Sequence, residues 1–415
     1  MNDSLGVYIH IPFCASRCAY CDFCSLAGAD SLKPRYHEAL LQHITESEDR
    51  FVPYIVDSVY FGGGTPSHYG AIRIDELFSE LKYRASVLKS AEVTLEANPD
   101  SVTPRELGIL RRAGINRISL GMQSANDDIL QLLGRRHSHR QTVDAAQNIR
   151  NAGFENLSID LIYGLPSQTR REWADTLSRA LELRPEHISC YGLKLEEGTL
   201  LHRQYADSPF IPDDDEQADM YLYTVETLQS YGYPQYEISN FALPGYESRH
   251  NLKYWQQGDY MSFGASAHSL VSNVRYSYTS NVRGYISGVL EGQSVIDSHD
   301  IISRYESAAE YLMLGLRTVE GISGEKYSAI AGGDFSALER LFEGLAERGL
   351  AQKRENGNWR LTPRGFLVSN TVIGMLLSSR RGDSTGGSSD ADNANATDAG
   401  LQDNPQGKIY LRDFS

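Results

Sequence analysis

Short apolar runs alternate with amphipathic helical stretches along this chain from residue 7 to about residue 200, and that alternation restricts it to the α/β class. The strand-like runs cover residues 7–11, 58–61, 92–97, 117–122, 157–163 and 187–193. Between the first two, Tyr36, Ala39, Leu40, His43 and Ile44 recur at i, i+3, i+4, i+7 and i+8, one face of a helix. Before the fourth run, Thr103, Pro104 and Glu106 stand as N-cap, first helical residue and capping-box partner. Gly114 and Gly153 sit where helices close. Six strand-then-helix units in series imply a parallel sheet, curled as an open or partial barrel. Ligands of such sheets gather at the carboxyl ends of the strands, so the loops after each run are where function is expected.

The rest of the chain reads differently. Residues 1–200 form the βα core, and residues 201–300 lose the alternation and become rich in Tyr, Gly, Pro and Asn, an irregular region. From residue 301 to 377 helical patterning returns. There Asn356-Gly357 separates two short runs as a hairpin turn does. Two helices, a hairpin and a further helix suggest a small winged-helix-like C-terminal domain. It carries nine Lys or Arg and nine Asp or Glu over residues 303–377, so no basic stripe is available for nucleic acid. Residues 378–415 are dominated by Ser, Gly, Asp, Asn and Ala and are expected to be a disordered tail.

Five cysteines are present, and four of them cluster at Cys14, Cys18, Cys21 and Cys24, directly after the first strand. Gaps of two or three residues are too short for a useful disulfide framework, so clustered thiols point to a metal site. Cys14, Cys18 and Cys21 form C-x3-C-x2-C, which can hold three irons of a 4Fe-4S cluster and leave the fourth open to a small molecule. Zinc prefers four ligands in paired units, and no second pair exists here. Tyr20 lies between the second and third cysteines, where a ring could shield a cluster or stack on a nucleobase. Cys190, on a β-rich run, reads as a small buried apolar residue. The net charge of −15 repels phosphates and anionic lipid, which argues against nucleic acid as a partner. No apolar run reaches the ~18 residues of a membrane span, and the N-terminus lacks an export signal, so a cytoplasmic location is expected and an integral membrane protein is not.

The cysteine loop resembles the radical S-adenosylmethionine motif, and the run Tyr8-Ile9-His10-Ile11-Pro12-Phe13 before it is similar to that of oxygen-independent coproporphyrinogen dehydrogenases and their relatives. The likeness extends to about residue 375. It implies a radical SAM partial (β/α)6 TIM-like barrel with a 4Fe-4S cluster and S-adenosyl-L-methionine as cofactors. Gly62-Gly63-Gly64-Thr65-Pro66 follows the second strand, where glycines let backbone N–H groups approach a ligand closely. The resemblance assigns Gly63, Gly64 and Thr65 to S-adenosyl-L-methionine, gives Glu96, Gln123, Arg135 and Asp160 analogous roles, and adds Tyr8 and, more weakly, Gly192. The glycine loop and the thiol loop are expected to act separately.

The segment His250-Asn251-Leu252-Lys253-Tyr254-Trp255 matches H-N-x-x-Y-W, which resembles HemW-type heme chaperones rather than coproporphyrinogen dehydrogenases. A neutral imidazole is an iron ligand, and Tyr and Trp offer flat faces to a macrocycle. His250 is therefore the expected heme contact, with His268 a second candidate. The related dehydrogenases carry a fourth cysteine two positions after the third, where this chain has Phe23; Cys24 comes one position later. The expectation is a heme chaperone that delivers heme to client hemoproteins, respiratory membrane enzymes among them. The alternative is an oxygen-independent coproporphyrinogen III dehydrogenase, so whether the chain is an enzyme stays open at this point.

Overall fold

The computed structural model describes residues 3–382, and the chain divides after Ser303 into two compact units. The first is built on an eleven-stranded sheet. Its strands are β1 (Asp3–Ile11), β2 (Tyr54–Gly63), β3 (Val87–Ala97), β4 (Arg117–Gln123), β5 (Leu157–Tyr163), β6 (His187–Gly192), β7 (Asn240–Ala242), β8 (Tyr260–Phe263), β9 (His268–Val271), β10 (Val274–Tyr278) and β11 (Ile296–Ile301). They lie in the order β11-β10-β9-β8-β1-β2-β3-β4-β5-β6-β7. β8 and β1 to β6 run parallel; the β6–β7, β8–β9, β9–β10 and β10–β11 pairs are antiparallel.

Each of the first six strands is followed by a covering helix: α1 (Lys33–Glu46), α2 (Ala71–Arg84), α3 (Pro104–Ala113), α4 (His139–Asn151), α5 (Arg170–Glu182) and α6 (Asp214–Ser230). Side chains that start these helices explain where they begin. Thr103 accepts from the Glu106 amide, and Ser138, Thr169 and Asp213 each close a reciprocal capping box with the third helical residue. The face expected for α1 is the one buried, through Tyr36, Ala39, Leu40, His43 and Ile44.

Parity along the strands divides two environments. Val7, Ile9 and Ile11, then Val59 and Phe61, Val93 and Leu95, Ile118 and Leu120, Ile159 and Leu161, and Ile188 and Cys190 join one apolar core. The intervening residues on the other face are polar: Tyr8 and His10, Ser58 and Tyr60, Thr94 and Glu96, Arg117 and Ser119, Ser158 and Asp160, His187 and Ser189. A parallel strand flanked on one side by helices and on the other by a polar interior is the layout of an α/β barrel that binds at its strand ends.

Three expectations change. Residues 201–300 are not irregular: they supply α6, α7 (Arg249–Trp255), α8 (Val282–Leu290) and strands β7 to β11, which extend the same sheet at both edges. In the second unit three helices (Arg304–Gly315, Gly324–Ala331, Ser336–Glu347), not two, precede the hairpin of Ala351–Lys353 and Trp359–Leu361. Gly332, at φ +71°, closes the second of these after only eight residues, which the helical pattern alone does not reveal. Helices Pro363–Leu367 and Ser369–Gly382 follow, so residues 378–382, expected in the tail, are helical. The remainder of that expected tail lies outside the described residues. Among the described residues no helix is long and apolar enough to cross a membrane.

Candidate functional site

The cysteine loop leaves the carboxyl end of β1. Phe13–Cys14 pairs with Leu26–Ala27, so the segment between them closes on itself. The Ala19 amide donates to the Leu133 carbonyl at 2.9 Å, and the Leu201 amide donates to the Ala19 carbonyl at 2.8 Å. Ala19 is buried with Ile129, Leu133, Ile162, Leu165 and Leu201, a small apolar cluster against which Tyr20 also packs. These anchors carry no ligand chemistry, and no sequence motif announces them.

Hydrogen-bond donors from two other strand-end loops reach the sulfurs. Thr65 Oγ1 lies 3.4 Å from Cys14 Sγ, and Arg135 Nη1 lies 3.4 Å from Cys18 Sγ. Arg135 is otherwise held by the Asn98 side chain at 3.1 Å and the Gly121 carbonyl at 2.8 Å, while its Nε is buried without a partner. Burial lowers the pKa of this guanidinium, but the neighbouring Tyr20 and Cys18 outweigh it and hold the value above the ordinary one. Burial raises the thiol pKa values, that of Cys14 above its usual range and that of Cys21 to about 11. A bound metal would favour the thiolate form of Cys14 and Cys21 against that burial. Among the described residues no three His, Cys, Asp or Glu groups converge on a point where a single ion would sit. A cubane cluster asks for something else, one thiolate per iron, and three thiols on one loop with donors at two sulfurs fit that requirement. Cys24 points elsewhere, its Sγ 3.5 Å from the Ser280 carbonyl.

The glycine loop is more committed than its sequence suggests. The Gly63 amide donates to Glu96 Oε2 at 3.0 Å, the Gly64 amide to the Ile11 carbonyl at 2.8 Å, and the Thr65 amide to the Phe13 carbonyl at 2.9 Å. The expectation that these N–H groups receive a ligand is therefore corrected: they are spent on protein acceptors. A Cβ on Gly64 would stand 2.9 Å from the Ile11 oxygen, the Phe13 nitrogen and the Pro12 carbonyl carbon. Glycine is required there because the loop lies against the backbone that leads to Cys14, so the two loops are one structure rather than two.

The other expected residues fall at three depths. Glu96, at the end of β3, accepts from Tyr60 Oη at 2.9 Å as well as from Gly63, and burial, opposed by these bonds and aided by Asp160, pushes its carboxyl up to about 7. Gln123 ends β4 at φ +64°, a left-handed conformation rare for a non-glycine, with its amide near Gly121 and Arg135. Gly192 ends β6 beside Tyr163, whose hydroxyl would stand 3.0 Å from an added Cβ. Tyr8 donates or accepts at His10 Nδ1, 3.0 Å away, and its ring stacks on Tyr60. Asp160 lies mid-strand, where it accepts from Ser119 at 2.9 Å, Ser189 at 2.8 Å and Ser158 at 3.4 Å. That position is deeper than the rim, and its carboxylate stitches three strands together.

His250 is deeper still, and the expectation of an iron ligand there is not met by its geometry. It is fully buried on α7. Its Nδ1 lies 3.0 Å from Ser58 Oγ and its Nε2 lies 2.8 Å from Tyr254 Oη, so both ring nitrogens are engaged. Its ring stacks on Tyr60 at 5.3 Å and meets Tyr254 edge-on at 5.1 Å. Ser58 precedes Gly63 by five residues of extended strand, about 16 Å along the sheet. His250 is a core histidine that ties α7 to β2. His268 is half-buried on β9, and burial lowers its pKa. Arg117, not anticipated, sits buried among these polar groups, with Glu92, Tyr60, Tyr236 and Asp160 supporting its charge against desolvation. A period-two polar pattern in the strands is the signal that identifies it.

Two family descriptions match the chain: the radical SAM superfamily over residues 8–180 and the HemN C-terminal domain over residues 302–368. The heme chaperone HemW of Lactococcus lactis is 33% identical over 375 residues, covering 90% of this chain and 97% of that protein. The heme chaperone HemW of Bacillus subtilis is 34% identical over 379 residues, covering 90% and 99%. That of Escherichia coli is 33% identical over 384 residues, covering 90% and 98%. Among solved structures, coproporphyrinogen III oxidase (HemN) from Escherichia coli, described as a radical SAM enzyme, superposes with a TM-score of 0.79 over 91% of each chain at 23% identity. That last likeness speaks to the fold.

Proposed function

The chain belongs to the HemW family of radical SAM proteins, and from that premise we propose that it is a heme chaperone which binds a 4Fe-4S cluster and S-adenosyl-L-methionine and passes heme to client hemoproteins in the cytoplasm or at its membrane face. The observation that carries this reading is the pair of side chains, Thr65 and Arg135, that reach from two other strand-end loops to donate to the sulfurs of Cys14 and Cys18 on the loop that also bears Cys21. In this reading the three thiolates hold the cluster and Arg135 offsets part of its negative charge. When bound and reduced, such a cluster supplies the electron that cleaves the sulfonium of S-adenosyl-L-methionine. Gly63, Gly64, Thr65, Glu96, Gln123 and Gly192 form the rim around it, and Tyr8 and Tyr20 give it aromatic walls. With its amides engaged, the glycine loop is left to offer carbonyl oxygens, which suit the ammonium of the methionine part.

Heme is proposed to bind without His250 as its iron ligand, because a ring with both nitrogens bonded inside the core would have to break both bonds first. Phe23, standing where the related dehydrogenases carry a fourth cysteine, and the match to chaperones over 97% and 99% of their length both favour carriage over porphyrinogen oxidation. Respiratory membrane enzymes are the clients this reading names. One preparation tests it: anaerobic reconstitution with iron and sulfide, a heme titration, and incubation with coproporphyrinogen III and S-adenosyl-L-methionine. The expected result is about four irons per chain, saturable heme binding and no decarboxylated porphyrin. Formation of protoporphyrinogen IX at a catalytic rate would replace the chaperone with an enzyme.

A further inference from the structure

His10 stands between the thiol loop and the glycine loop. It is the penultimate residue of β1 and only 6% exposed. Its Nε2 lies 2.9 Å from the carbonyl oxygen of Cys24, and its Nδ1 lies 3.0 Å from the Tyr8 hydroxyl. A carbonyl can only accept, so Nε2 carries the hydrogen. Burial lowers the imidazole pKa to about 4, so near neutrality the ring has one proton, and Nδ1 accepts from Tyr8. The tautomer is thus set from both sides.

The surroundings are shaped to this ring. A Cβ on Gly63, which has φ +111°, would stand 2.5 Å from His10 Cε1, so the glycine leaves the space the imidazole fills. On the other side the Tyr36 hydroxyl donates to the His10 carbonyl at 2.9 Å, and a Cβ on Gly264 would meet those same two oxygens at 2.6 and 2.7 Å. Tyr36 and Gly264 therefore hold the His10 backbone, while Tyr8 and Gly63 hold its ring in one orientation. What that orientation delivers is a single bond to the segment just beyond Cys21.

We propose that His10 is a positioning residue for the cluster: by holding the Cys24 carbonyl it fixes the far end of the thiol loop, and through Gly63 and Tyr8 it sets that loop against the rim where the small-molecule ligand sits. The proposal rests on the reading that Cys14, Cys18 and Cys21 carry the cluster. Its substance is that a residue which touches no iron governs how the three thiolates present the cluster.

The test uses the full chain with His10→Leu, His10→Gln and Tyr8→Phe, each reconstituted anaerobically. Two readouts are followed: the g-values of the reduced cluster and the rate at which cluster absorbance is lost to a chelator. Thermal unfolding of each variant reports whether it is folded. Leu fills the space without a donor, so altered g-values and roughly ten-fold faster loss are expected, the effect of removing one hydrogen bond at a tightly built loop. Gln retains an N–H at the same reach and should bring the loss rate to within roughly three-fold of wild type. Tyr8→Phe should shift both readouts in the direction of Leu and by less. Wild-type g-values and loss rate in His10→Leu, or a Gln variant no better than Leu, would overturn the proposal. If His10→Leu does not fold, Tyr8→Phe decides, and wild-type behaviour there overturns it equally. A wild-type chain that takes up no cluster would instead refute the cofactor reading, an outcome visible before any variant is made.

Discussion

Replacing His250 with alanine separates a core role from an iron-ligand role. The substitution removes the bonds to Ser58 at 3.0 Å and Tyr254 at 2.8 Å, each contributing about 1 kcal/mol. It also removes the stacking on Tyr60 at 5.3 Å, about 0.5–1.5 kcal/mol. A buried Ser58 hydroxyl and a cavity of imidazole size are left behind. Together these give a loss of about 3–5 kcal/mol. Burial, with Lys253 and Arg117 adding to it, lowers the His250 pKa to about 3, so the ring is neutral when folded. A base with a depressed folded pKa contributes stability that is present above its unfolded value near 6.5 and is lost as pH falls toward 3. The variant should therefore show both a lower urea midpoint at pH 7 and a shallower loss of stability on acidification. Heme titration of the variant, done well below its unfolding transition, should match wild type. An unchanged urea midpoint with a ten-fold or greater loss of heme affinity would refute the core assignment and restore His250 as a ligand.

Serine at Cys14, Cys18 or Cys21 should each abolish iron–sulfur absorbance after reconstitution, whereas Cys24→Ser, whose thiol faces the Ser280 carbonyl, should keep nearly all of it; iron and sulfide analysis reads the difference. Gly64→Ala should lower cluster content as well as S-adenosyl-L-methionine binding by equilibrium dialysis, because the added Cβ meets the backbone of residues 11–13 at 2.9 Å; retention of full cluster content would show that the two loops are independent after all. Glu96 has a folded pKa of about 7, raised by burial, so its contribution to stability is fully present below the unfolded value near 4.5 and is lost as pH rises through 7. Glu96→Gln should remove that part of the pH dependence and raise the urea midpoint at pH 8, and a variant with the wild-type slope between pH 4.5 and 7 would contradict the assignment.

The parallel core was legible because its determinants are local. Each of the six runs carries its own period-two or continuous apolar pattern, and Thr103, Gly114 and Gly153 mark helix ends through backbone chemistry confined to a few residues. The sheet extension was not legible for the opposite reason. β8 is four residues, Tyr260–Phe263, flanked by Gly258 and Gly264, and its place beside β1 depends on a pairing across some 250 positions of chain, Gly6 with Tyr260 to Ile9 with Phe263. Nothing in a Tyr- and Gly-rich segment distinguishes a strand that completes a sheet from a sequence of turns.

The same division governs the site. Cys14, Cys18 and Cys21 are readable because metal ligation depends on residue type and spacing within one loop. The glycine loop is readable as a special backbone, but the reason for its glycines is not. A glycine that admits a ligand and a glycine that admits a neighbouring strand impose the same requirement, and only the Ile11, Pro12 and Phe13 atoms opposite Gly64 tell them apart. His250 shows the converse. A histidine among aromatics offers the same letters whether its nitrogens face iron or hydroxyls, and the hydroxyls here come from Ser58, 192 positions away, and Tyr254. Arg117 and the serines that bind Asp160 lie on the polar parity of the recognised strands, so reading each strand for its second face finds them, as it does the expected Asp160. A βα strand with an apolar face toward its helices and charged residues at alternate positions encloses a polar interior. The chemistry of such a chain is then expected at the strand ends, where that interior opens, rather than at its most conspicuous aromatic run.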